Sequence, residues 1–528
     1  MNQPVTEHEN FSMYSDSIVI IELKVICVLL LSVCIIFSSN LSSATEFFIS
    51  PRGNDANDGR TKIHPFKSFK YTFSKMEAGD QLTMLDGLYA VSSGTGGIHW
   101  DVDKYPGSGQ IPSGIRKQEP SIIKALNPGN VFVEVPLFIG RKNRKDSFIR
   151  VEGITFAGGH LYNTSYIDIK DTGFSDQLTV GTNDHDKGNS YNLIEDVWVW
   201  AAQRRIIAIN YRANSNVWRR VLIRGDGCKK RVCKGRGNPN VGFTVYDSSD
   251  VSVQNMIVID RILGGGQNYA DFASAQHTKA GHFLGRNEWL GVMSINSEDN
   301  GIYLEADNVV KNEPTWVLKN AVILGAMGGG INIGNLPNNG VTSNLIENSM
   351  VILSRLSKGD GIRVAPGQVE TRILNCIVVN AGRYSVNSAG KSSGIISYRP
   401  GKSHYNQLSC DDRCYSMVYG PMLKRHISSF LSMLNNLETG LMDLLTPENW
   451  KDIATNINYR YGLDGSRFGE RGYNTLSTNA LWPWPNEKRI LNEICATRES
   501  GVCKRPLGDT VATIRGYIKS LINQNDLL

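Results

Sequence analysis

Four short segments in the middle of the chain begin with glycine and then repeat one strand-like pattern. Their glycines recur at roughly 30 residues, a spacing typical of solenoids and propellers. A second hydrophobic run precedes each of the last three segments. The sequence therefore predicts an all-β solenoid of short stacked strands. The four segments are GIYLEA from Gly301, GINIGN from Gly330, GIRVAP from Gly361 and GIISYR from Gly394.

The region from residue 46 to residue 90 predicts how this solenoid begins. A strand is followed by a turn rich in Gly, Asn and Asp, an amphipathic stretch, Gly79-Asp80, and Asp86-Gly87-Leu88-Tyr89. This order resembles the N-terminal cap and first coil of the right-handed parallel β-helix proteins of the pectate-lyase-like superfamily. The resemblance implies a right-handed parallel β-helix with an N-terminal helical cap. Such a cap covers the apolar stack and the strand edge that an open first coil exposes.

The chain divides into four predicted parts. Residues 1–44 contain the apolar run Val25 to Phe37 and then Ser42-Ser43-Ala44, which predicts a signal peptide or a retained N-terminal anchor. We expect a secreted or periplasmic protein that meets a membrane only through an uncleaved leader. Residues 45–410 are predicted as the β-helix. Residues 411–480, with helical apolar spacing after Leu423, form a helical or irregular flank.

The last predicted part is a C-terminal cap over residues 481–528. This segment resembles the C-terminal end of some bacterial β-helix proteins, and it begins with LWPWPNEKRI.

Six of the nine cysteines form close pairs along the chain. Short disulfides of an oxidising compartment explain this pattern, and metal binding is the alternative. Cys376, within an apolar run, is predicted to be a buried free thiol. The three pairs are Cys228 with Cys233, Cys410 with Cys414, and Cys495 with Cys503.

The charge balance favours an anionic partner. Without residues 1–44, the chain has 55 basic and 46 acidic side chains, a net charge of +9. A basic surface suits an acidic polymer, although solubility alone also explains it. The sequence contains no nucleotide-binding loop, zinc-protease helix or serine elbow. We therefore expect an acidic polysaccharide and no nucleic acid as the partner.

The outward positions of the glycine-headed strands are the candidate site. Side chains alternate across a strand, so Ile302 and Leu304 face the core while Tyr303 and Glu305 face out. Coils stack about 4.8 Å apart, which predicts one lateral ladder along this face. The Gly281 strand joins the ladder only if its register is shifted by one residue. The predicted outward residues are Tyr246, His282, Arg286, Tyr303, Glu305, Asn332 and Arg363.

The resemblance implies that this face binds a polysaccharide, and uronate lyase activity is the favoured hypothesis. Such an enzyme neutralises the sugar carboxylate, removes the C5 proton and assists the departing oxygen. His277, Lys279 and His282 are the candidate bases, and Arg363 and Arg286 are the candidate neutralisers. The substrate-binding residues are then Tyr246, Arg286, Tyr303, Glu305 and Asn332.

Three alternatives remain open from the residues alone. A glycoside hydrolase needs two suitably spaced carboxylates, an epimerase shares the proton abstraction, and a non-catalytic protein would bind, export or adhere to a polysaccharide. The cofactor is unknown, with Ca²⁺ as one option. Asp55 to Gly59 resembles the start of a calcium loop but lacks its distal glutamate, which favours a plain turn.

Two further features bear on the site. The segments Ile98 to Pro128 and Ser175 to Tyr191 have little strand pattern, and such long excursions from a rigid scaffold often form a cleft or lid. Trp198, Trp200 and Trp218 are either sugar-stacking or core residues, and the core is favoured.

Overall fold

A computed structural model gives the fold. It describes residues 44–183, 188–200, 206–225, 241–260, 269–276, 287–306, 316–335, 343–366, 368, 370–388, 390–398, 400–406, 409–410, 415–417 and 487–495. Within these ranges the chain winds through three parallel sheets that enclose one hydrophobic core. The predicted all-β parallel β-helix is confirmed.

Each sheet receives strands from successive coils. Three long strands, Thr164–Phe174, Leu193–Val199 and Val217–Arg224, continue from the first sheet into the second. The first sheet is completed by Glu46–Ile49, Gln81–Met84, Ser121–Ala125, Asp146–Glu152, Ser252–Gln254, Asn287–Leu290, Trp316–Lys319, Asn344–Glu347, Arg372–Leu374, Lys391–Ser393 and Ser409–Cys410. The second is completed by Gly87–Tyr89, Val131–Val133, Thr155–Phe156, Ile257–Ile259, Met293–Ile295, Val322–Leu324, Met350–Ile352, Ile377–Val379, Ile396–Tyr398 and Tyr415–Met417.

The third sheet contains most of the glycine-headed strands. Its eleven described strands pair in parallel, each with the next coil. They are Leu137–Ile139, Gly159–Leu161, Leu178–Gly181, Ile206–Tyr211, Val241–Tyr246, Ala270–Gln276, Asn300–Ala306, Ile331–Asn335, Ile362–Val364, Tyr384–Asn387 and Ser403–Asn406.

The repeated glycines have a steric cause. The backbone at Gly330 passes so close to the second sheet that an added Cβ would lie 2.3 Å from Val351 Cγ1. Gly301 and Gly361 meet Ile323 and Val378 in the same way. A side chain at these positions would displace the β-branched core of the second sheet, because protein interiors are close-packed.

The fourth glycine-headed segment was assigned to the wrong sheet. Gly394 has a φ of +68° and lies at the corner before Ile396–Tyr398, which is a strand of the second sheet. The third-sheet strand of that coil is Tyr384–Asn387. Glycine suits the corner because it adopts positive φ without strain.

Asparagines occupy this same corner in four earlier coils, and Gly291 occupies it in a fifth. Asn255, Asn320, Asn348 and Asn375 all have φ between 50° and 54°. The backbone N–H of Asn348 donates to Leu374 O of the next coil at 3.0 Å, and Asn320 and Asn375 repeat the arrangement. Asparagine tolerates the left-handed conformation better than most residues. These asparagines therefore mark a structural corner.

The first coil is covered by its own loop. Phe48 N donates to Gly59 O, and Phe66 N donates to Phe48 O, so the outer edge of the strand Glu46–Ile49 is paired. The helix Phe69–Lys75 follows and buries Phe69 and Phe73 in the core.

The segment that resembles a calcium loop is a turn that leads into this helix. Asp55 accepts hydrogen bonds from Lys67 N, Ser68 N and the Ser68 hydroxyl at 2.7–2.9 Å. Ser68 in turn caps the helix. No group of three or more acidic, histidine or cysteine side chains able to hold a metal ion occurs in the described part of the chain.

The β-helix extends past its predicted boundary at residue 410, because Tyr415–Met417 pairs with Ile396–Tyr398. The helix Glu487–Cys495, from the predicted C-terminal cap, lies against early coils of the β-helix. Glu493 accepts hydrogen bonds from the Trp198 indole and the Thr155 hydroxyl, both at 2.9 Å. This helix therefore packs on the flank of the β-helix.

We expect Glu493→Ala to weaken this attachment and lower the free energy of unfolding by about 1–3 kcal/mol, because it leaves the buried indole N–H without an acceptor. Urea unfolding measures the change. Asn492→Ala, an exposed neighbour on the same helix, is the matched control and should change little. Equal effects of the two substitutions would contradict the role given to Glu493.

Most of the remaining cysteine and terminal predictions lie outside the described residues. These include residues 1–43, most of the flank, and Cys228, Cys233, Cys414 and Cys503. Cys376 is a buried free thiol, as predicted, and burial raises its pKa to about 12. No helix within the described ranges is both long and apolar enough to span a membrane.

Candidate functional site

Two parallel rows of outward side chains run along the third sheet. We call the longer row the first track. Its residues lie between inward-facing residues of their strands, and each pairs with the corresponding residue of a neighbouring coil. We call each such position a rung. The first track consists of Phe138, His160, Thr179, Ile209, Thr244, Ala273, Tyr303, Asn332, Arg363, Asn387 and Asn406. The second track, two residues further along each strand, consists of Gly181, Tyr211, Tyr246, Ala275, Glu305 and Gly334.

The single predicted ladder is therefore split. Tyr303, Asn332 and Arg363 lie on the first track, whereas Tyr246 and Glu305 lie on the second. The glycines gave the correct faces and the correct register, because Tyr303, Asn332 and Arg363 each lie two residues after a glycine. Tyr246 and Glu305 lie four residues after theirs and therefore belong to a separate row.

The Gly281 strand was also misplaced. The strand between Val241–Tyr246 and Asn300–Ala306 is Ala270–Gln276, so alanines occupy the two rungs expected for the shifted strand. His277, Lys279, His282 and Arg286 follow this strand and lie outside the described residues. Their roles stay predictions.

Two adjoining cavities contain all five predicted site residues that the structure describes. The tyrosine cavity, about 270 Å³, includes Tyr246, Tyr269, Tyr303 and Glu305 in its wall. The arginine cavity, about 300 Å³, is lined by Asn332, Arg363, Asp360, Arg383, Asn387, Asn406 and their neighbours. Tyr303 and Asn332 occupy adjacent rungs, so the cavities form one cleft.

Arg363 and Asn332 present unmatched polar groups to the arginine cavity. Arg363 is exposed and forms no ion pair with a carboxylate of the described residues. Asn332, on the neighbouring rung, has a buried Oδ1 that accepts no hydrogen bond within the described part of the protein. A guanidinium and an amide at adjacent rungs can receive a group that carries both a carboxylate and hydroxyls.

The other charges of this cavity are paired with each other. Buried Asp360 lies 3.5 Å from Arg383 Nε and accepts hydrogen bonds from Asn387 Nδ2 at 3.0 Å and Tyr384 N at 3.3 Å. Asn387 Oδ1 also accepts from Asn406 Nδ2 at 3.1 Å. Asp360 therefore positions the far wall of the arginine cavity.

The sequence did not identify Asp360, Arg383 and Asn387 as site residues. Asp360 directly precedes the glycine-headed segment at Gly361 but lies outside its strand. The coil of Arg383 and Asn387 has no glycine at the head of its third-sheet strand, and Gly394 led to the wrong sheet. The alternation in Tyr384-Ser385-Val386-Asn387, with buried Val386, was the available signal.

Tyr303 and Glu305 form a hydrogen-bonded pair in the tyrosine cavity. Burial and the neighbouring Glu305 raise the pKa of Tyr303 to about 12, and Arg363 partly opposes this shift. Gly334 makes room for the pair, because an added Cβ there would lie 2.7 Å from Tyr303 Oη. Tyr303 is therefore a protonated hydroxyl at neutral pH and does not serve as the base that removes a proton.

Tyr246 extends the cavity wall towards earlier coils. Its ring stacks on Tyr211 of the preceding rung, with centroids 5.2 Å apart and an interplanar angle of 28°. Burial and the adjacent Asp247 raise the pKa of Tyr246. The two rings form an apolar edge beside the small first-track residues Thr244 and Ala273.

The tryptophans considered for sugar stacking are core residues. Trp198, Trp200 and Trp218 are all buried, and Trp218 packs edge-on against Phe243 at 4.9 Å. Aromatic surface in the cleft therefore comes from the tyrosines of the third sheet.

Comparisons with known proteins give weak structural matches only. No family model matches the chain, and no curated protein matches it. A rhamnogalacturonan lyase matches with 15% identity and a TM-score of 0.34, over 71% of this chain and 87% of that chain. The pectate lyase Pel9A matches with 13% identity and a TM-score of 0.38, over 85% and 91%.

The catalytic domain of a GH87 alpha-1,3-glucanase in complex with nigerose matches with 13% identity and a TM-score of 0.35, over 64% of each chain. The chain thus spans slightly less than two thirds of that protein. At these values, the matches do not transfer a reaction or a substrate.

Proposed function

We propose that the cleft of the third sheet binds an acidic polysaccharide and that the protein cleaves it by β-elimination. The observation that carries this proposal is the exposed Arg363 guanidinium, beside an Asn332 amide oxygen without a donor in the described part of the chain. Charge-assisted hydrogen bonds from arginine suit a carboxylate. The half-buried Asn332 amide would form hydrogen bonds with hydroxyls of the same sugar.

Neutralising the carboxylate is the first requirement of this chemistry. The proton at C5 of a uronate lies beside the carboxylate and is poorly acidic while that group is fully charged. Arg363 would spread the charge that develops when the proton leaves, which is electrostatic stabilisation of the transition state. Asn332, on the adjacent rung, would orient the ring.

The elimination then moves one proton off the sugar and one onto it. A base removes the C5 proton, the C–H electrons form the C4–C5 double bond, and the C4–O bond breaks. Tyr303 fits the role of donor to the departing oxygen, and its carboxylate partner Glu305 would stabilise its position. The base remains to be assigned, and His277, Lys279 and His282 stay the candidates.

A hydrolase is less well supported by the geometry. Glu305 and Asp360 are the carboxylates that line the two cavities. Glu305 accepts the Tyr303 hydroxyl, and Asp360 is held by Arg383 and Asn387. A hydrolase would need one of them as a free base or nucleophile and the other as an acid.

We expect Arg363→Ala to weaken polysaccharide binding roughly 10- to 100-fold, the range of a lost hydrogen bond to a charged group. The measurement uses the full chain with polygalacturonate, alginate and hyaluronan, and neutral dextran as the uncharged control. Calorimetry reports binding, and ultraviolet absorbance of the unsaturated product reports elimination. Arg372→Ala removes the same charge from the first sheet and is the matched control.

The outcomes separate the two parts of the proposal. Binding with a rise in absorbance, both impaired in the Arg363 variant only, supports a lyase. Binding that depends on Arg363 without any absorbance rise overturns the elimination and leaves the cleft assignment in place. Absence of binding to all three acidic polymers, or equal affinity of both variants and the unmodified protein, overturns the cleft assignment.

A further inference from the structure

An aromatic cluster lies at the start of the first track, far from the cleft. Trp100 belongs to the long segment after Ile98, and 40% of its side chain is exposed. The Trp100 ring lies nearly parallel to buried His99, with centroids 5.7 Å apart and an interplanar angle of 27°. It also meets Phe138 edge-on at 6.0 Å. We call these three rings, with Tyr162, the remote platform.

The remote platform is held in place by backbone hydrogen bonds. Phe138 N donates to Ile98 O at 2.9 Å, so the long segment adds a rung before the strand Leu137–Ile139. His99 N donates to Gly109 O at 3.0 Å. Phe138 stacks on Tyr162 with centroids 6.3 Å apart. Trp100 is thus exposed on a fixed support, an arrangement that lowers the entropy cost of binding a ligand.

The platform and the cleft share one row of residues. Phe138 begins the first track, and Tyr303 follows six rungs later. At about 4.8 Å per rung, the separation is about 29 Å. The rungs between them carry small or compact side chains, such as Thr179 and Ala273. The stacked rings of Tyr211 and Tyr246 border this stretch, so a groove floor connects the two sites.

We propose that Trp100 and the remote platform form a second binding site for the same acidic polysaccharide, which only a long chain can occupy together with the cleft. The inference rests on the proposed function. The faces of a pyranose ring present C–H groups, which pack on an aromatic face while the hydroxyls remain in water. Trp100 provides the exposed aromatic ring of the platform, whereas Arg363 and Arg383 provide charge in the arginine cavity.

The expected signature is a dependence on chain length. A polymer that reaches both sites binds the second one at high effective concentration, which raises its overall affinity. A tetrasaccharide held by Arg363 cannot reach Trp100. Trp100→Ala should therefore weaken binding of the polymer roughly 3- to 10-fold, the range of a single aromatic contact, and leave the tetrasaccharide within about 2-fold.

The experiment compares polygalacturonate, alginate and hyaluronan with their own tetrasaccharides by calorimetry on the full chain. Val102→Ala removes an equally exposed apolar side chain from the same segment and should have no effect on either length. Trp100→Phe keeps a ring and should retain most of the affinity for the polymer. Tyr162→Ala tests the platform independently if Trp100→Ala does not fold, which circular dichroism reveals.

Each outcome bears on the proposal. A loss confined to the polymer supports the remote site. An equal loss for both lengths, or no loss for either, overturns it while the proposed function stands. Failure of the unmodified protein to bind any of the acidic polymers overturns both. Val102→Ala acting like Trp100→Ala would instead indicate a nonspecific apolar contact and would also overturn the remote site.

Discussion

Replacement of Glu195 by alanine is expected to lower the free energy of unfolding by about 3–5 kcal/mol, because it removes the carboxylate that two buried arginines share. Glu195 accepts hydrogen bonds from Arg219 Nε at 2.6 Å and Arg220 Nη2 at 2.8 Å, and Lys170 Nζ lies 3.3 Å away. Arg219 and Arg220 are both buried. Asp196 accepts two hydrogen bonds from Arg220. The hydrogen bond from Arg219 Nε is accepted by Glu195.

Urea unfolding at neutral pH measures this change. Glu152→Ala is the matched control, because Glu152 lies two rungs earlier on the same outward row and is exposed. It should change the free energy of unfolding by less than about 0.5 kcal/mol. A loss below about 1 kcal/mol for Glu195→Ala would mean that the arginines find other partners.

The same carboxylate gives the protein a sensitivity to acid. Burial would raise the pKa of Glu195, but Arg219, Arg220 and Lys170 together lower it to about 2. A depressed pKa contributes stability above the unfolded value near 4.5, and this contribution is lost as the pH falls through about 2. The difference between the unmodified protein and Glu195→Ala should therefore shrink between these pH values.

The second large effect is expected at Glu288, whose pKa is raised where that of Glu195 is lowered. Its contribution to the free energy of unfolding therefore depends on pH in the opposite direction. Its side chain, on the first sheet, is only 2% exposed, and burial raises its pKa to about 7 despite a hydrogen bond from Ser252 and the charge of Lys319. A raised pKa contributes stability below the unfolded value near 4.5, and this contribution is lost as the pH rises to about 7. The shift corresponds to about 3 kcal/mol.

Glu288→Gln should abolish this loss, since glutamine stays neutral at every pH. Urea unfolding at pH 5 and pH 8 tests it, and the difference between variant and unmodified protein isolates Glu288. This comparison is needed because burial lowers the pKa values of His99 and His160, whose contributions are lost as the pH falls. If Glu288→Gln keeps the pH dependence of the unmodified protein, ionisation of Glu288 is not the cause of the loss of stability.

The β-helix and its faces could be predicted from local sequence patterns. The alternation in GIYLEA and GINIGN separates Ile302 and Ile331, which are buried, from Tyr303 and Asn332, which line the cleft. Asparagines such as Asn320 and Asn348 adopt the left-handed corner between two sheets. These patterns are reliable because the two-residue period and the positive φ of asparagine depend on neighbouring residues alone.

Which residues share a rung was decided by the tertiary structure. Ala270–Gln276 took the place expected for the Gly281 strand, and Tyr384–Asn387 took the place expected for Gly394. The first error involves the long connections on either side of Ala270–Gln276, whose lengths do not fix where the chain re-enters the sheet. The second arose because glycine also suits the positive-φ corner at Gly394. Glu493 meets Thr155 across 338 residues of sequence, a contact that no local pattern encodes.

The sequence by itself therefore determined a stack of parallel strands with an apolar inside and a polar outside. The tertiary structure alone placed Ala270–Gln276 between the strands of Tyr246 and Tyr303, brought Arg383 to Asp360 in the cavity of Arg363, and buried Glu195 and Glu288. The physical reason is that alternation and turn preferences act within a few residues. Register, burial and charge pairing arise only when coils distant in sequence pack against one another.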